Sequence, residues 1–187
     1  YAKLINEETD LILATYPSEE VLKFTEQKNI EFEIVPIAKD AFVFFVNKEN
    51  PVDNLTLEQI QEIYSGKIRK WSNIGGENEK IIAYQKPENS ISQKGMIDLV
   101  MQGKKMMKPP TETISQSMGD IVDVISDYNN QKTSIGYSYY YYTSAMYTTD
   151  TMKLLSINGI KPTYENIQTG LYDMQTTYYA VRSEEHT

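Results

Sequence analysis

The chain has 187 residues, with 26 acidic against 18 basic side chains, a formal net charge of −8, one histidine and no cysteine. That length supports a sizeable core, and the acidity disfavours nonspecific attraction to nucleic acid or anionic lipid over the surface as a whole, leaving a local basic site open. Without cysteine there are no disulfides, thiolate zinc sites or cysteine nucleophiles, and one histidine makes no multi-histidine site, so metal chemistry would have to be all-oxygen; no metal and no cofactor is expected.

Tyr1 to Thr9 reads as mixed and polar, and Asp10 to Thr15 as a short buried strand broken at Tyr16-Pro17-Ser18. Ser18, followed by Glu19 and Glu20 and by apolar residues at helical spacing, predicts a capped helix ending near Lys28-Asn29. Glu31 to Pro36 alternates at period two. Asp40 to Asn47 is β-rich and largely apolar, which predicts a second strand covered on both faces. Its apolar core, Ala41 to Val46, is too short to span a bilayer. After the turn cluster Asn50 to Asn54, Thr56-x-x-Gln59 offers a capping box for a helix carrying Leu57, Ile60, Ile63 and Tyr64 and stopping at Gly66.

Trp71 to Gly76 is loop-like, and Ile81 to Tyr84 predicts a short strand feeding the polar turn Lys86 to Ser90. Gln93 to Met101, preceded by Ser92, has a helical apolar face and a stop at Gly103. Lys104 to Pro110 is a basic connector, and Ser117 to Tyr128 carries Ile121, Val122, Val124 and Ile125 at helical spacing. Ile135 to Tyr142 reads as a strand made of tyrosines, Lys153 to Ile157 as another strand ended by Asn158-Gly159, and Thr163 to Gly170 as a short helix. Thr176 to Arg182 closes the series as a last strand. Alternating strands and helices predict the α/β class.

The segment Tyr84-Gln85-Lys86-Pro87-Glu88-Asn89-Ser90-Ile91-Ser92-Gln93 concentrates the chemistry. A helix N-terminus presents unpaired N–H groups and a positive dipole end, so the Ser90 and Ser92 hydroxyls beside it can complete an oxyanion cradle, with charge from Lys86. Glu88 can accept a proton from a protonated oxyanion. The plainer role for Ser90 or Ser92 is that of N-cap, and both roles can hold at once.

Leu55 to Ile68, with Trp71 and Gly75-Gly76, resembles the second-lobe signature of the phosphate-binding-type substrate-binding proteins of bacterial ABC transporters. Tyr84 to Gln93 falls where that family carries a basic residue followed by its Ser-Gly-Ser/Thr anion loop. Ile135-Gly136-Tyr137 and Pro162 to Gly170 resemble family segments in the right order. The resemblance implies a type 2 periplasmic-binding-protein fold, two α/β lobes joined by crossing strands, that clamps an oxyanion without catalysis and delivers it to a membrane permease. Residues 1–47 then correspond to a partial first lobe and crossover strand, 48–175 to the second lobe, and 176–187 to a return strand.

Carried over by position, Lys86 stands where the family usually has Arg, Glu88 where an acid occurs, and Ser90 and Ser92 where its hydroxyl donors sit, with Asn89 and Ile91 in the same ligand-binding segment. Thr15 lies where the first lobe often offers a Ser or Asp, or it is simply a strand-ending turn residue. Ile91 replaces the usual Gly; it disfavours φ > 0 and adds bulk. Lys for Arg loses the bidentate fork. The family's first strand, anion loop and helix, and its closing helix, have no counterpart here, so a piece of a longer polypeptide is expected.

The implied ligand is inorganic phosphate or a related oxyanion, the implied partner an ABC permease, and the location extracytoplasmic, with membrane attachment only through a lipid anchor outside this chain. The alternative is a surface sensor or adhesion module that has lost phosphate binding. Tyr137 to Tyr142 can stack on sugars or bases, but packing accounts for it more simply. Lys104-Lys105-x-x-Lys108 is a solvated connector or a landing point for an acidic partner. Glu19-Glu20, Glu184-Glu185 and His186 belong to a helix first turn and a chain end, and carry no catalysis.

Overall fold

The computed structural model describes residues 1–87, 90–108, 132–146 and 151–183. The helix expected over Ser117 to Tyr128, the residues Glu88 and Asn89, the pair Glu184-Glu185 and His186 lie outside the described residues. The chain divides into two compact units, one formed by 1–40 with 176–187 and the other by 41–175.

In the first unit, α1 (Ala2–Ile5) is followed by β1 (Ile12–Ala14), α2 (Glu19–Gln27) and the first part of β2 (Phe32–Asn47), and β8 (Gln175–Ser183) returns between β1 and β2. The opening segment is thus helical at Ala2–Ile5, where Leu4 is buried, although its polarity gave no sign of it. Ser18 caps α2, its Oγ accepting the Val21 N–H at 3.4 Å. β1 pairs antiparallel with β8, Leu13 opposite Ala180. The expectation of a buried first strand is corrected: Leu13 is 66% exposed, because period-two alternation turns it away from the face that Ile12 and Ala14 share. Arg182 of β8 pairs with Glu33 of β2.

The expected pair of strands around Pro36 is also corrected. β2 runs unbroken through it for 16 residues, since proline's fixed φ fits extended chain and costs only one ladder donor. Ala41 to Val46 are all fully buried, as the apolar run requires.

The second unit holds the rest of β2, then β3 (Asn54–Leu55), α3 (Leu57–Tyr64), β4 (Ile82–Ala83), α4 (Ile91–Gly95), β5 (Ser134–Tyr139), β6 (Met152–Leu154), β7 (Ser156–Ile157) and α5 (Tyr164–Gln168). β2 lies between β5 and β6, antiparallel to both, and β4 adds parallel to β5. β3 and β7 form a separate parallel pair. Phe42 and Phe44 pack with Tyr137, Tyr139 and Tyr64 in a chain of tilted and edge-on rings 5.4 to 6.2 Å apart. Phe42 and Phe44, both fully buried, each stabilise the fold by about 1.5–3 kcal/mol.

α3 has the full capping box: Gln59 N–H meets Thr56 Oγ1 at 3.1 Å and Thr56 N–H meets Gln59 Oε1 at 2.9 Å. It ends at Gly66, whose φ of +80° suits only glycine without strain. Three sequence expectations need correction in this unit. Trp71–Ile74 forms a 3-10 turn rather than a loop, its indole N–H donating to the Thr133 carbonyl at 2.8 Å. The tyrosine strand ends at Tyr139 and the chain turns helical over Tyr142–Met146, where Thr143 and Ser144 hydroxyls donate back to the carbonyls of Tyr139 and Tyr140. Lys153 to Ile157 is two strands, because after Leu155, whose N–H still donates to the Phe44 carbonyl of β2, the Ser156 N–H turns to the Asp53 carbonyl.

Candidate functional site

β4, pinned beside β5, delivers the chain into the segment Tyr84 to Pro87, and the Ser90 N–H donates to the Pro87 carbonyl at 2.9 Å. Ser90 is the N-cap of α4: its Oγ accepts the Gln93 N–H at 3.1 Å. The helix expected to begin after Ser92 therefore begins two residues earlier, which puts Ser92 inside it and fully buried. Beyond Gly95 the backbone continues as a widened π-type turn over Met96–Met101, closed by the Gln102 N–H on the Ile97 carbonyl at 3.1 Å.

Ser90-Ile91-Ser92-Gln93 has the same capping-box pattern as Thr56-x-x-Gln59, but only half of the box forms. The Gln93 side chain turns to the other end of the loop, where its Oε1 accepts the backbone N–H of Lys86 at 3.2 Å. Tyr137 Oη accepts the same N–H at 3.1 Å and donates its own proton to Gln93 Oε1. Gln93 thus ties both ends of the segment 86–90, through its side chain at Lys86 and its backbone N–H at Ser90. Burial holds the Tyr137 phenol well above its ordinary value, against a smaller opposing effect of the Lys86 N–H, so it is a neutral donor at physiological pH.

Beside this loop opens a cleft of about 560 Å³. Lys86, Lys104, Lys105 and Lys108 supply its positive charge, and Pro87, Ile97, Met106 and Met107 its apolar wall. The connector is strapped to the loop, with Gln85 Nε2 donating to the Met107 carbonyl at 3.0 Å. Lys104 is held by Gln61 Oε1, and Gln61 in turn donates to the Val100 carbonyl at 2.8 Å. The Lys86 side chain is only 4% exposed, a placement that an ammonium tolerates only with partners. The arrangement can bind an anion. Among the described residues no group of three or more His, Asp or Glu side chains could hold a metal ion.

Of the site residues expected from sequence, Lys86 lines the cleft, Ser90 caps α4, and Ile91 and Ser92 follow within that helix, Ser92 fully buried, while Glu88 and Asn89 fall outside the described residues. Ile91 is 73% exposed at the first helical position, with φ outside the positive region. The expected conflict between a β-branched side chain and positive φ does not arise here, so only its bulk remains as a departure. Thr15 belongs to the first unit, where its carbonyl accepts the Tyr1 hydroxyl at 2.6 Å. The basic connector, set aside as a solvated loop or a partner surface, lines the cleft. Sequence reasoning missed Gln93 and Tyr137. The Ser-x-x-Gln spacing was the available signal for the first, and nothing local marked the second.

A family profile described as a PBP superfamily domain matches residues 1–187. The phosphate-binding protein PstS of Staphylococcus saprophyticus is 28% identical over 196 residues, covering 98% of this chain and 58% of the relative. The protein of that name from Bacillus subtilis is 27% identical over 143 residues, 76% of this chain and 44% of the relative. The chain spans about half the length of the curated relatives it matches. Among solved structures, an ABC-type phosphate transport receptor from Vibrio cholerae superposes with a TM-score of 0.78 at 21% identity, over 100% of this chain and 72% of that one. PstS from Borrelia burgdorferi superposes with a TM-score of 0.69 at 21% identity, over 97% of this chain and 70% of that one. These likenesses show the fold, α/β of the periplasmic-binding-protein kind.

Proposed function

The chain belongs to the PBP superfamily, and from that premise we propose that it is part of a noncatalytic solute-binding protein that captures phosphate or a similar oxyanion for an ABC importer. Residues 48–175 serve as the second lobe, 1–47 as part of the first lobe and the crossover strand, and 176–187 as the return strand. The observation that carries the reading is the state of Ser90. Its oxygen accepts the Gln93 N–H, which leaves the hydroxyl proton to be offered to an anion, and Gln93 itself lines the lysine-lined cleft. The names of the relatives, phosphate-binding proteins in both cases, point the same way.

In this reading Ser90 and Ser92 donate hydroxyl bonds, Lys86 supplies positive charge, and Glu88 and Asn89 complete the loop, Glu88 favouring an oxyanion that still carries a proton. Thr15 is a further ligand-binding residue, from the first lobe. Charge-assisted hydrogen bonds at contact distance outweigh a net charge of −8 screened over about 8 Å. The partner is a membrane permease, and the protein works outside the cytoplasmic membrane, lipid-anchored through sequence beyond this chain. No helix among the described residues is long and apolar enough to cross a membrane.

The test is calorimetric titration of phosphate, with sulfate as control, into the parent polypeptide carrying both lobes. Saturable binding of phosphate that is abolished in Ser90→Ala or Ser92→Ala supports the reading. No heat with either anion, or binding indifferent to both substitutions, overturns it in favour of a sensor or adhesion role.

A further inference from the structure

A second cleft, of about 530 Å³, shares Met107 and Lys108 with the first but includes neither Lys86 nor Gln93. Its floor is apolar, from Ile63, Ile68, Ile81, Ala83 and Met107, and the charged residues lining it are Arg69, Lys70, Lys80 and Lys108. All four are cations, in a chain whose net charge is −8. None of them has a carboxylate partner among the described residues. Arg69 Nε donates to the Gly66 carbonyl at 2.8 Å and Lys70 Nζ to Asn78 Oδ1 at 3.1 Å, both neutral acceptors.

The backbone sharpens the anomaly. Lys70 and Lys80 form an antiparallel bridge, flanked by hydrogen bonds from the Ile81 N–H to the Arg69 carbonyl at 2.9 Å and from the Trp71 N–H to the Glu79 carbonyl at 3.0 Å. That pattern makes them a non-hydrogen-bonded pair, the register in which facing side chains stand closest. Like charges directly opposite in this register are destabilising, and here two further cations face the same hollow. A site that concentrates uncompensated positive charge over an apolar floor, at a volume within the range of ordinary ligand pockets, is complementary to an anion with an apolar body.

We propose that the cleft of Arg69, Lys70, Lys80 and Lys108 binds a small amphipathic organic anion, its charged group between Lys70 and Lys80 and its apolar part on Ile68, Ile81 and Met107. The ligand class differs from the compact oxyanion of the Ser90 loop, and the proposal does not depend on that loop's function.

The probe is 8-anilinonaphthalene-1-sulfonate, titrated by fluorescence into the complete polypeptide. The expected result is saturable enhancement that survives Ser90→Ala, weakens at least about tenfold in the double variant Lys70→Gln/Lys80→Gln, and is retained in Lys70→Arg/Lys80→Arg. Because the repulsion disappears with the charges, the Gln/Gln variant without ligand is also expected to melt no lower than the parent. Undiminished binding by the Gln/Gln variant overturns the proposal, and so does a fall in its melting temperature, which gives the lysines a structural role. Loss of the signal in Ser90→Ala assigns the probe to the other cleft, and displacement by polyglutamate at lower concentrations than by free aromatic sulfonates assigns the surface to a protein partner. Either result refutes it.

Discussion

Gln93 accepts the backbone N–H of Lys86 at 3.2 Å across the loop that its own helix cap closes. The side chain and the main chain of one residue therefore set the separation of the two groups proposed to meet the anion. Replacing Gln93 by Leu leaves the Ser90 cap intact, because the cap uses the Gln93 backbone, but removes the acceptor shared by Lys86 and Tyr137. Loss of one buried hydrogen bond and its preorganisation costs about 1–1.5 kcal/mol, so the phosphate Kd of the parent polypeptide is expected to rise about five- to tenfold. Tyr137→Phe should act in the same direction but less, since Gln93 still receives the Lys86 N–H. Titration calorimetry on both variants decides it. Unchanged affinity in Gln93→Leu rules out a role for this tie in positioning the loop.

Ile91 makes a separate prediction. Its backbone is already helical, so glycine offers no relief of strain there and costs about 0.5 kcal/mol of helix stability instead. What glycine removes is a bulky side chain, 73% exposed, next to the proposed hydroxyl donor. Ile91→Gly should therefore lower the melting temperature while tightening phosphate binding. A variant that loses stability and gains no affinity shows that the side chain stands clear of the anion's path.

Alkaline pH should unfold the second unit. The hydroxyls of Tyr64, Tyr137 and Tyr172 are all held above the ordinary phenol value of 10.0, chiefly by burial. A phenol whose folded value is raised keeps its proton in the native state where the unfolded chain has lost it, so this contribution is fully present below about pH 10 and is lost as pH climbs. Each such group lowers stability by about 1.4 kcal/mol per pH unit above that point. Melting temperatures should thus be level near neutrality and fall steeply above about pH 10, together with a cooperative rise in phenolate absorbance. Tyr172→Phe should make the fall shallower. Phenolate absorbance that rises while the fold persists would contradict the assignment.

Much of the fold was legible because its signals are local. The Thr56 capping box, the Ser18 cap, the buried run Ala41 to Val46 and the stop at Gly66 each follow from a few adjacent residues. The family resemblance carried by Leu55 to Ile68 and the later blocks stands at the level of the PBP superfamily. The misreadings came where periodicity is overridden by a specific hydrogen bond, near or far. The tyrosine run turns helical where the carbonyls of Tyr139 and Tyr140 are met by hydroxyls from Thr143 and Ser144 four residues on, and the strand after it breaks where the Ser156 N–H turns to Asp53, a hundred residues earlier. At the candidate site the hydroxyls and the lysine could be seen in the sequence, but not the tie from Gln93 to Lys86, because a Ser-x-x-Gln pattern predicts the opposite destination for that side chain.

The seating of α4 on the sheet links stability to the site. A methyl group on Gly95 would stand 2.9 Å from Phe42 Cε2 and from Tyr139 Oη, and 3.1 Å from Phe42 Cδ2. Phe42 is fully buried and stacked edge-on against Tyr139 with ring centroids 5.4 Å apart, so it has nowhere to retreat without disturbing Phe44 and Tyr137. In an open helix Gly→Ala would stabilise by about 1 kcal/mol, whereas overpacking a core costs about 1–3 kcal/mol. The steric effect should win, and Gly95→Ala is expected to shift the denaturation midpoint downward by an amount worth about 0–2 kcal/mol, with Gly95→Val lower still. The same displacement lifts Ser90 and Gln93 from Lys86 and Tyr137, so phosphate affinity should fall along with stability. A Gly95→Ala protein that is more stable than its parent would show that the two rings yield, and that the close approach of helix to sheet does not govern the loop.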